Sequence, residues 1–388
     1  MTSTFYPPYS IGGDATHVKY LAEELVKIGH EVHVFYNRDA YEVKRRNLPQ
    51  IVEPQDIFLH EFKSNSNFSP YAAYFFGNSP AIYKKFNALV KQIRPDIIHH
   101  HNISLLGYNI LKNHGTSANV YTAHDFWLVC PQNNLLRNGK ECNVPSCFTC
   151  SLKSKKPPQL WRYYRNFKEA VGNIDLIIAP CEYLQRRIAQ EINVRSEVIR
   201  NFAPLPPNHI SRTSYSDYFL FVGGLEDHKG IMNLLEVFRK SQHRIGAKLL
   251  IVGRGSLRTR IKQFIREYSL DNLVIFLGSV PSEELYSLYQ NAYALIVPSI
   301  WPENSPLVIM EALSVGTPSI VSNMGGLPEI VRTGKCGLIF NNFEELSNIL
   351  INFPKTNCDR GRILNVYKEN FSPGIYVNRY LKSIEAYV

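Results

Sequence analysis

The feature that most constrains this chain is an alternation of short apolar strands and amphipathic helices that runs once, breaks at a proline-rich segment and starts again. In the first run, DATHVKYLAEELVKIG (14–29) carries Val18, Leu21, Ala22, Leu25 and Ile28 at helical spacing and stops at Gly29, after which HEVHVFY reads as a strand. IRPDIIHHHN, ANVYTAHDF and IDLIIAPC follow as short buried strands with helical segments between them. The segment RNFAPLPPNHI, with three prolines, is the clearest linker. Beyond it come YFLFVGGL, helix 230–240, AKLLIVGRG, helix 256–268, LVIFLGSV, helix 282–291, AYALIVPS, helix 305–315 and PSIVSN. Strands that are apolar almost throughout, each followed by a helix, belong to parallel sheets covered on both faces. The expected fold class is α/β, with two Rossmann-like, doubly wound parallel-sheet domains at 1–200 and 211–372, a linker at 201–210 and a last helix within 373–388.

At 388 residues the chain is too long for one core and suits two. With 45% hydrophobic and 20% charged residues it reads as globular rather than disordered. No apolar run approaches the roughly 20 residues that span a bilayer. No basic segment followed by an apolar stretch opens the chain, so a cytoplasmic location is expected. The formal charge of +10 is concentrated. Between Lys84 and Lys168 stand thirteen Lys/Arg against Asp96, Asp125 and Glu141, and 13 − 3 gives +10 for that stretch alone. Trp161, Tyr163, Tyr164 and Phe167 interleave with it, which suits an anionic membrane surface or an acidic acceptor. A merely solvated surface is the plainer alternative, and no nucleic-acid motif accompanies the patch.

The most specific segment is VPSIWPENSPLVIMEALSVGTPSIVSNMGGLPEIV (297–331), where Glu303 and Glu311 lie either side of a proline-rich turn and the first turns of a helix. A strand that delivers a loop, a carboxylate and a helix N-terminus builds a polar site for a phosphorylated ligand. This run resembles the paired-glutamate signature of retaining nucleotide-sugar glycosyltransferases, family 4 in particular, and the resemblance covers nearly the whole chain. It implies the GT-B architecture, two Rossmann-like domains facing a crevice, with the C-terminal helix packing back on the first domain. Family members usually open with a full apolar strand before the segment matching TSTFYPPYSIGG, whereas here Met1 stands where that strand would be ending. A start several codons upstream is the expected reason, because an absent central strand would leave ladder groups unpaired.

Roles follow by that resemblance. Gly12 and Gly13, between the first strand and first helix, would let backbone N–H groups approach a phosphate or sugar; an ordinary tight turn is the alternative. VGGLEDHKG resembles the segment in which an Arg and a Lys clamp the donor diphosphate; Lys229 matches the Lys, but Gly224 occupies the Arg position. Arg254, in IVGRGSL at another strand-to-helix turn, could restore that charge or be a surface residue. His124 would point at the donor sugar near its reacting centre, with Asp125 orienting it or meeting the acceptor; a packed, satisfied histidine is the alternative. Glu303 would face sugar hydroxyls, with Asn304, Ser305, Pro306 and Leu307 beside the phosphates or sugar. Glu311 would accept from the nucleotide ribose, as an acceptor-only carboxylate can. Catalysis would fall to His124, Glu303 and Lys229, with no cofactor and no obligatory divalent metal, and Glu303 and Glu311 are expected on a pocket rim rather than in a core.

Four cysteines cluster as C-x11-C-x4-C-x2-C: Cys130, Cys142, Cys147 and Cys150. They suggest a structural zinc site, with unligated thiols, an iron–sulfur cluster or disulfides as alternatives. Cys181, Cys336 and Cys358 read as buried or incidental thiols. The expected function is retaining hexosyl transfer from a nucleoside-diphosphate sugar to a glycan or lipid-linked acceptor, in the cytoplasm or peripherally at the inner face of the membrane. A sugar-nucleotide epimerase on the same fold, and a catalytically silent basic binding protein, are the competing readings.

Overall fold

The computed structural model describes residues 1–44, 56–112, 114–137, 140–142, 146–211, 213–353 and 359–387. Cys358 lies outside them. The chain divides into two compact units, Met1–Arg200 with Tyr376–Val388, and Asn201–Ile375.

The first unit is built on a seven-stranded sheet. Its strands in chain order are β1 (Thr2–Ser3), β2 (Val32–Asn37), β3 (Ile57–Phe62), β4 (Ile97–His100) and β5 (Ala118–Thr122), then, past a small antiparallel hairpin of β6 (Leu136–Arg137) and β7 (Lys140–Glu141), β8 (Leu176–Ala179) and β9 (Ser196–Val198). The spatial order is β3-β2-β1-β4-β5-β8-β9, every pair parallel. β1 is only two residues long yet central, and Phe35 N–H donates to the Met1 carbonyl while His101 N–H donates to that of Thr2. The helix Gly13–Lys27 buries Val18, Leu21, Ala22 and Leu25, as its spacing requires. Ile28 departs from expectation. It lies past the helix end and is exposed, because Gly29 N–H and His30 N–H turn back to the carbonyls of Val26 and Leu25 and close the helix one residue earlier.

The second unit repeats the logic with six strands: β10 (Tyr218–Val222), β11 (Lys248–Val252), β12 (Val274–Gly278), β13 (Leu295–Val297), β14 (Ser319–Ser322) and β15 (Gly337–Phe340), in the all-parallel order β12-β11-β10-β13-β14-β15. Leu220, Leu250, Leu295 and Val321 pack one face of this sheet; Phe219, Leu249, Ile251 and Ile296 pack the other. Strands buried on both faces explain why the sequence shows unbroken apolar runs rather than alternation. In both sheets the loops that leave the carboxyl ends of the central strands form a rim, the usual place for a ligand in such folds.

Candidate active site

In the second unit, β13 ends at Val297 and the chain crosses Pro298–Pro306 before entering the helix Leu307–Ser314. Pro302 and Pro306 hold this connection extended, and the helix starts directly after Pro306, whose φ of −68° suits a helix entry. The connection turns Glu303 inward rather than onto a rim. Its carboxylate is only 8% exposed, and Oε1 accepts from Lys229 Nζ at 2.5 Å, Ser299 Oγ at 2.8 Å and Trp301 Nε1 at 2.8 Å. Burial pushes this carboxyl up, but the Lys229 ammonium and the three donors outweigh it, and the pKa lies below the ordinary value. Glu303 is therefore an ionised, acceptor-only group across the physiological range.

Two glycine turns fix that arrangement. Gly230 follows Lys229 with φ 71°, and a Cβ there would lie 1.9 Å from the Pro298 carbonyl oxygen. Only glycine lets the Lys229 loop close on the end of β13. His228 seals the contact: its carbonyl accepts from Ile300 N–H at 2.9 Å and its ring stands 4.5 Å from that of Trp301. On the other side Gly325 has φ 58°, a Cβ there would meet the Glu303 carbonyl oxygen at 2.3 Å, and Gly326 N–H donates to that oxygen at 2.6 Å. Sequence reasoning gave Ser299, Trp301, Gly325 and Gly326 no role, although all four fall in or beside the segment it singled out.

Asn304 and Ser305 are buried at the helix entry, where first-turn N–H groups have no acceptor within the helix. Ser305 Oγ is buried and has no partner among the described residues, and the Ser305 carbonyl accepts from Asn201 Nδ2 at 2.8 Å. Leu307 is the first helical residue. About one turn on, Glu311 accepts from Tyr289 OH at 2.8 Å; burial raises its pKa and that bond opposes the rise. The turn carrying Arg254 interlocks with the 223–226 loop through Leu225 N–H to the Arg254 carbonyl at 2.9 Å, but the exposed guanidinium donates to Ser279 Oγ. Glu226, not Arg254, occupies the start of the next helical turn, accepting from Ser256 N–H at 3.0 Å.

In the first unit, Gly12 caps the helix Gly13–Lys27 with φ 92°. Around that N-terminus lie Asp14, which accepts from Asn102 Nδ2 at 2.6 Å, and three histidines. His124 Nε2 and His101 Nδ1 are 3.0 Å apart, and His17 Nε2 is 3.2 Å from Tyr376 OH. One ligand atom from each of the three lies within 4.8 Å of the others, a spacing a metal ion could bridge. Burial keeps all three neutral: His17 and His101 are pushed well below the ordinary value, and His124 is lowered to about 4, with Asp14 opposing. Asp125 does the reverse. Burial lifts its carboxyl to about 7 against a hydrogen bond from Trp127 N–H at 2.8 Å. His17 and His101 were not singled out, because only the fold brings residues 17, 101 and 124 together.

Cys130, Cys142, Cys147 and Cys150 are all unbridged, and among the described residues no three of their sulfurs reach the spacing that the histidines do. They are near enough to sense one another: burial and neighbouring thiols raise Cys142, and lift Cys147 to about 11. Cys181 and Cys336 are buried.

Comparison with known proteins agrees with this geometry. Residues 11–205, half of the chain, match the family model described as Glycosyltransferase Family 4, and residues 210–360 match the one described as Glycosyl transferases group 1. An uncharacterized glycosyltransferase of Methanocaldococcus jannaschii is 28% identical over 342 residues, 86% of this chain and 82% of the relative. A sucrose-phosphate synthase from Thermosynechococcus elongatus has a similar structure, with a TM-score of 0.73 at 17% identity over 100% of this chain and 98% of that one. The Anabaena protein HepE, solved in complex with UDP and glucose, gives 0.69 at 17% identity over 99% of each chain. At such identity the two structures speak for the fold alone, which is GT-B.

Proposed function

The chain belongs to the glycosyltransferases of family 4 and group 1, and from that premise we propose that it moves a hexose from a nucleoside-diphosphate sugar to a glycan or lipid-linked saccharide, with retention of anomeric configuration. The observation that carries this reading is the buried Glu303 carboxylate, paired with Lys229 at a strand-to-helix turn. Breaking the sugar–phosphate bond leaves growing negative charge on the diphosphate. Lys229 is placed to neutralise it, and the fixed dipoles of the helix entry add to that effect without reorganising. Glu303, ionised and rigid, would accept from sugar hydroxyls; Glu311 would accept from the ribose. His124, held neutral, would offer one ring N–H to the sugar.

UDP-sugars are the first donors to try, because a protein of the same fold, Anabaena HepE, was solved with UDP and glucose. The test is a thermal-shift screen of UDP-, GDP- and ADP-sugars, followed by NMR assignment of the product's anomeric configuration. One nucleotide raising Tm and a retained anomer support the reading. An epimerised free sugar nucleotide would favour the epimerase, and no shift with any donor would favour a silent binding protein.

The exposed aromatics of the first unit support peripheral contact with an anionic membrane. Phe76, Phe148, Tyr163 and Tyr164 are 46–64% exposed. Their segments adjoin, since Trp161 Nε1 donates to the Tyr74 carbonyl at 2.9 Å, and exposed Lys153, Lys155 and Lys156 flank them. Vesicle binding that rises with anionic lipid and weakens with salt supports this contact; equal binding to neutral vesicles removes it. The spacing of Cys130, Cys142, Cys147 and Cys150 carries a separate proposal of a structural zinc ion. About one equivalent of metal per chain by elemental analysis supports it; metal-free, fully active protein overturns it.

A further inference from the structure

The first unit holds a cavity of about 570 Å³ between the helices Cys147–Lys153 and Arg165–Gly172 and the 191–194 turn. That volume falls within the range of small-ligand sites, roughly 300–1,000 Å³. Its wall is mostly apolar, from Phe148, Tyr163, Phe167, Val171, Ile192 and Val194. Phe148 and Tyr163 are also among the exposed aromatics, so the apolar wall continues onto the outer surface.

The polar part of the lining is dominated by Arg162. Its guanidinium is clamped by hydrogen bonds to the Trp127 carbonyl and to Gln159 Oε1, both 2.6 Å, and by the rings of Trp161, Trp127 and Phe167, 4.6, 5.1 and 5.6 Å from its central carbon. Nη2 is closed to solvent, and among the described residues it has no acceptor and Arg162 forms no ion pair. Burial lowers its pKa to about 10, with nearby thiols and Asp125 opposing, so it remains a cation at neutral pH. Arg162 therefore presents the cavity lining with a fixed cation, and such a group attracts a phosphate oxygen. Lys168 adds a second positive charge to the lining and Glu191 one carboxylate, whose pKa burial raises.

We propose that this cavity binds the phosphate end of a long-chain alkyl or isoprenyl phosphate, the anion drawn to Arg162 and the chain leaving along Phe148 and Tyr163. Such a molecule has the two properties the lining matches at once, a compact anion and an apolar tail. The proposal names the acceptor class for the lipid-linked reading above and rests on that reading for the sugar's fate. Binding itself is measured without transfer.

The experiment titrates the full chain with farnesyl phosphate, farnesol and inorganic phosphate by calorimetry. Farnesyl phosphate should bind at least tenfold tighter than either of the others. Equal binding of inorganic phosphate reduces the site to an anion site, equal binding of farnesol to a greasy cleft, and either overturns the proposal. Arg162→Met should weaken farnesyl phosphate at least tenfold while leaving farnesol unchanged. Because Arg162 also braces Trp127, a second variant is needed. Gly172 lines the cavity, and a Cβ there meets no atom within 4 Å, so Gly172→Phe adds a ring at the cavity lining with no clash at Cβ. It should abolish binding with an unaltered circular dichroism spectrum and melting curve; full binding in Gly172→Phe places the ligand elsewhere. Wild-type protein that transfers sugar but binds no farnesyl phosphate overturns this inference and leaves the transferase reading standing.

Discussion

At the scale of single residues, Glu303 shows what burial adds to a motif. A carboxylate between two prolines reads as a rim group, and its removal would then leave stability alone. In the structure it is closed in by three donors, so truncating either member of the Lys229–Glu303 pair leaves a buried charge unmatched. Loss of one partner in such a pair typically costs about 3–5 kcal/mol when fully buried; Lys229 is 26% exposed, so about half of that is expected here. Lys229→Met should therefore lower Tm as well as turnover, and the Tm deficit should shrink as pH falls and Glu303 takes up a proton. Equal Tm to wild type at every pH would mean that the pair is not formed in solution.

Elements were legible where burial of both faces of a strand or of one face of a helix decided them. The parallel strands of both units appear in the sequence as unbroken apolar runs because both faces are covered, and the helices follow from their 3.6-residue spacing. Contacts that join distant segments were not legible. His17, His101 and His124 meet only through the sheet order, and Ser299 and Trp301 point at Glu303 only because the loop folds back. Glycines in the key loops were visible but their reason was not: Gly230 could be a plain turn until the 1.9 Å approach to Pro298 is seen. Gly230→Ala should destabilise the second unit through both positive φ and that clash, and should reduce donor affinity by displacing Lys229. Wild-type donor affinity in a folded Gly230→Ala protein would detach this loop from the site.

Across the whole molecule, buried histidines set the response to acid. Burial first, and neighbouring charges second, hold His17, His99 and His101 well below the ordinary value; burial brings His100 to about 3 against the Asn119 hydrogen bond and His124 to about 4 against Asp14. For a base with a depressed folded pKa, the unfolded chain takes the proton first. The stability is therefore present above the unfolded value of about 6.5 and is lost as pH falls toward the folded values. Asp125, raised to about 7, acts oppositely: its contribution is present at low pH and is lost as pH rises through 7. Five histidines against one aspartate predict a Tm that falls steadily from pH 7 to pH 5, and a flat profile would show that these rings are solvated. The two-unit α/β plan could be read from order and pattern, and the transferase signature and the shortened central first strand from the family resemblance; the pairing of β1 with β2 and β4 needed the fold.

The central claim is that Glu303, held ionised beside Lys229, serves transfer from the donor sugar. The direct measurement is kcat for sugar transfer by Glu303→Gln, with donor Kd and Tm taken on the same preparation. Gln keeps the shape and can still accept from Trp301, so the fold should survive with a modest Tm loss. The account predicts a fall in kcat of about a hundredfold or more, as for removal of one preorganised charge, with a folded, donor-binding protein. Transfer at the wild-type rate by folded Glu303→Gln would contradict it.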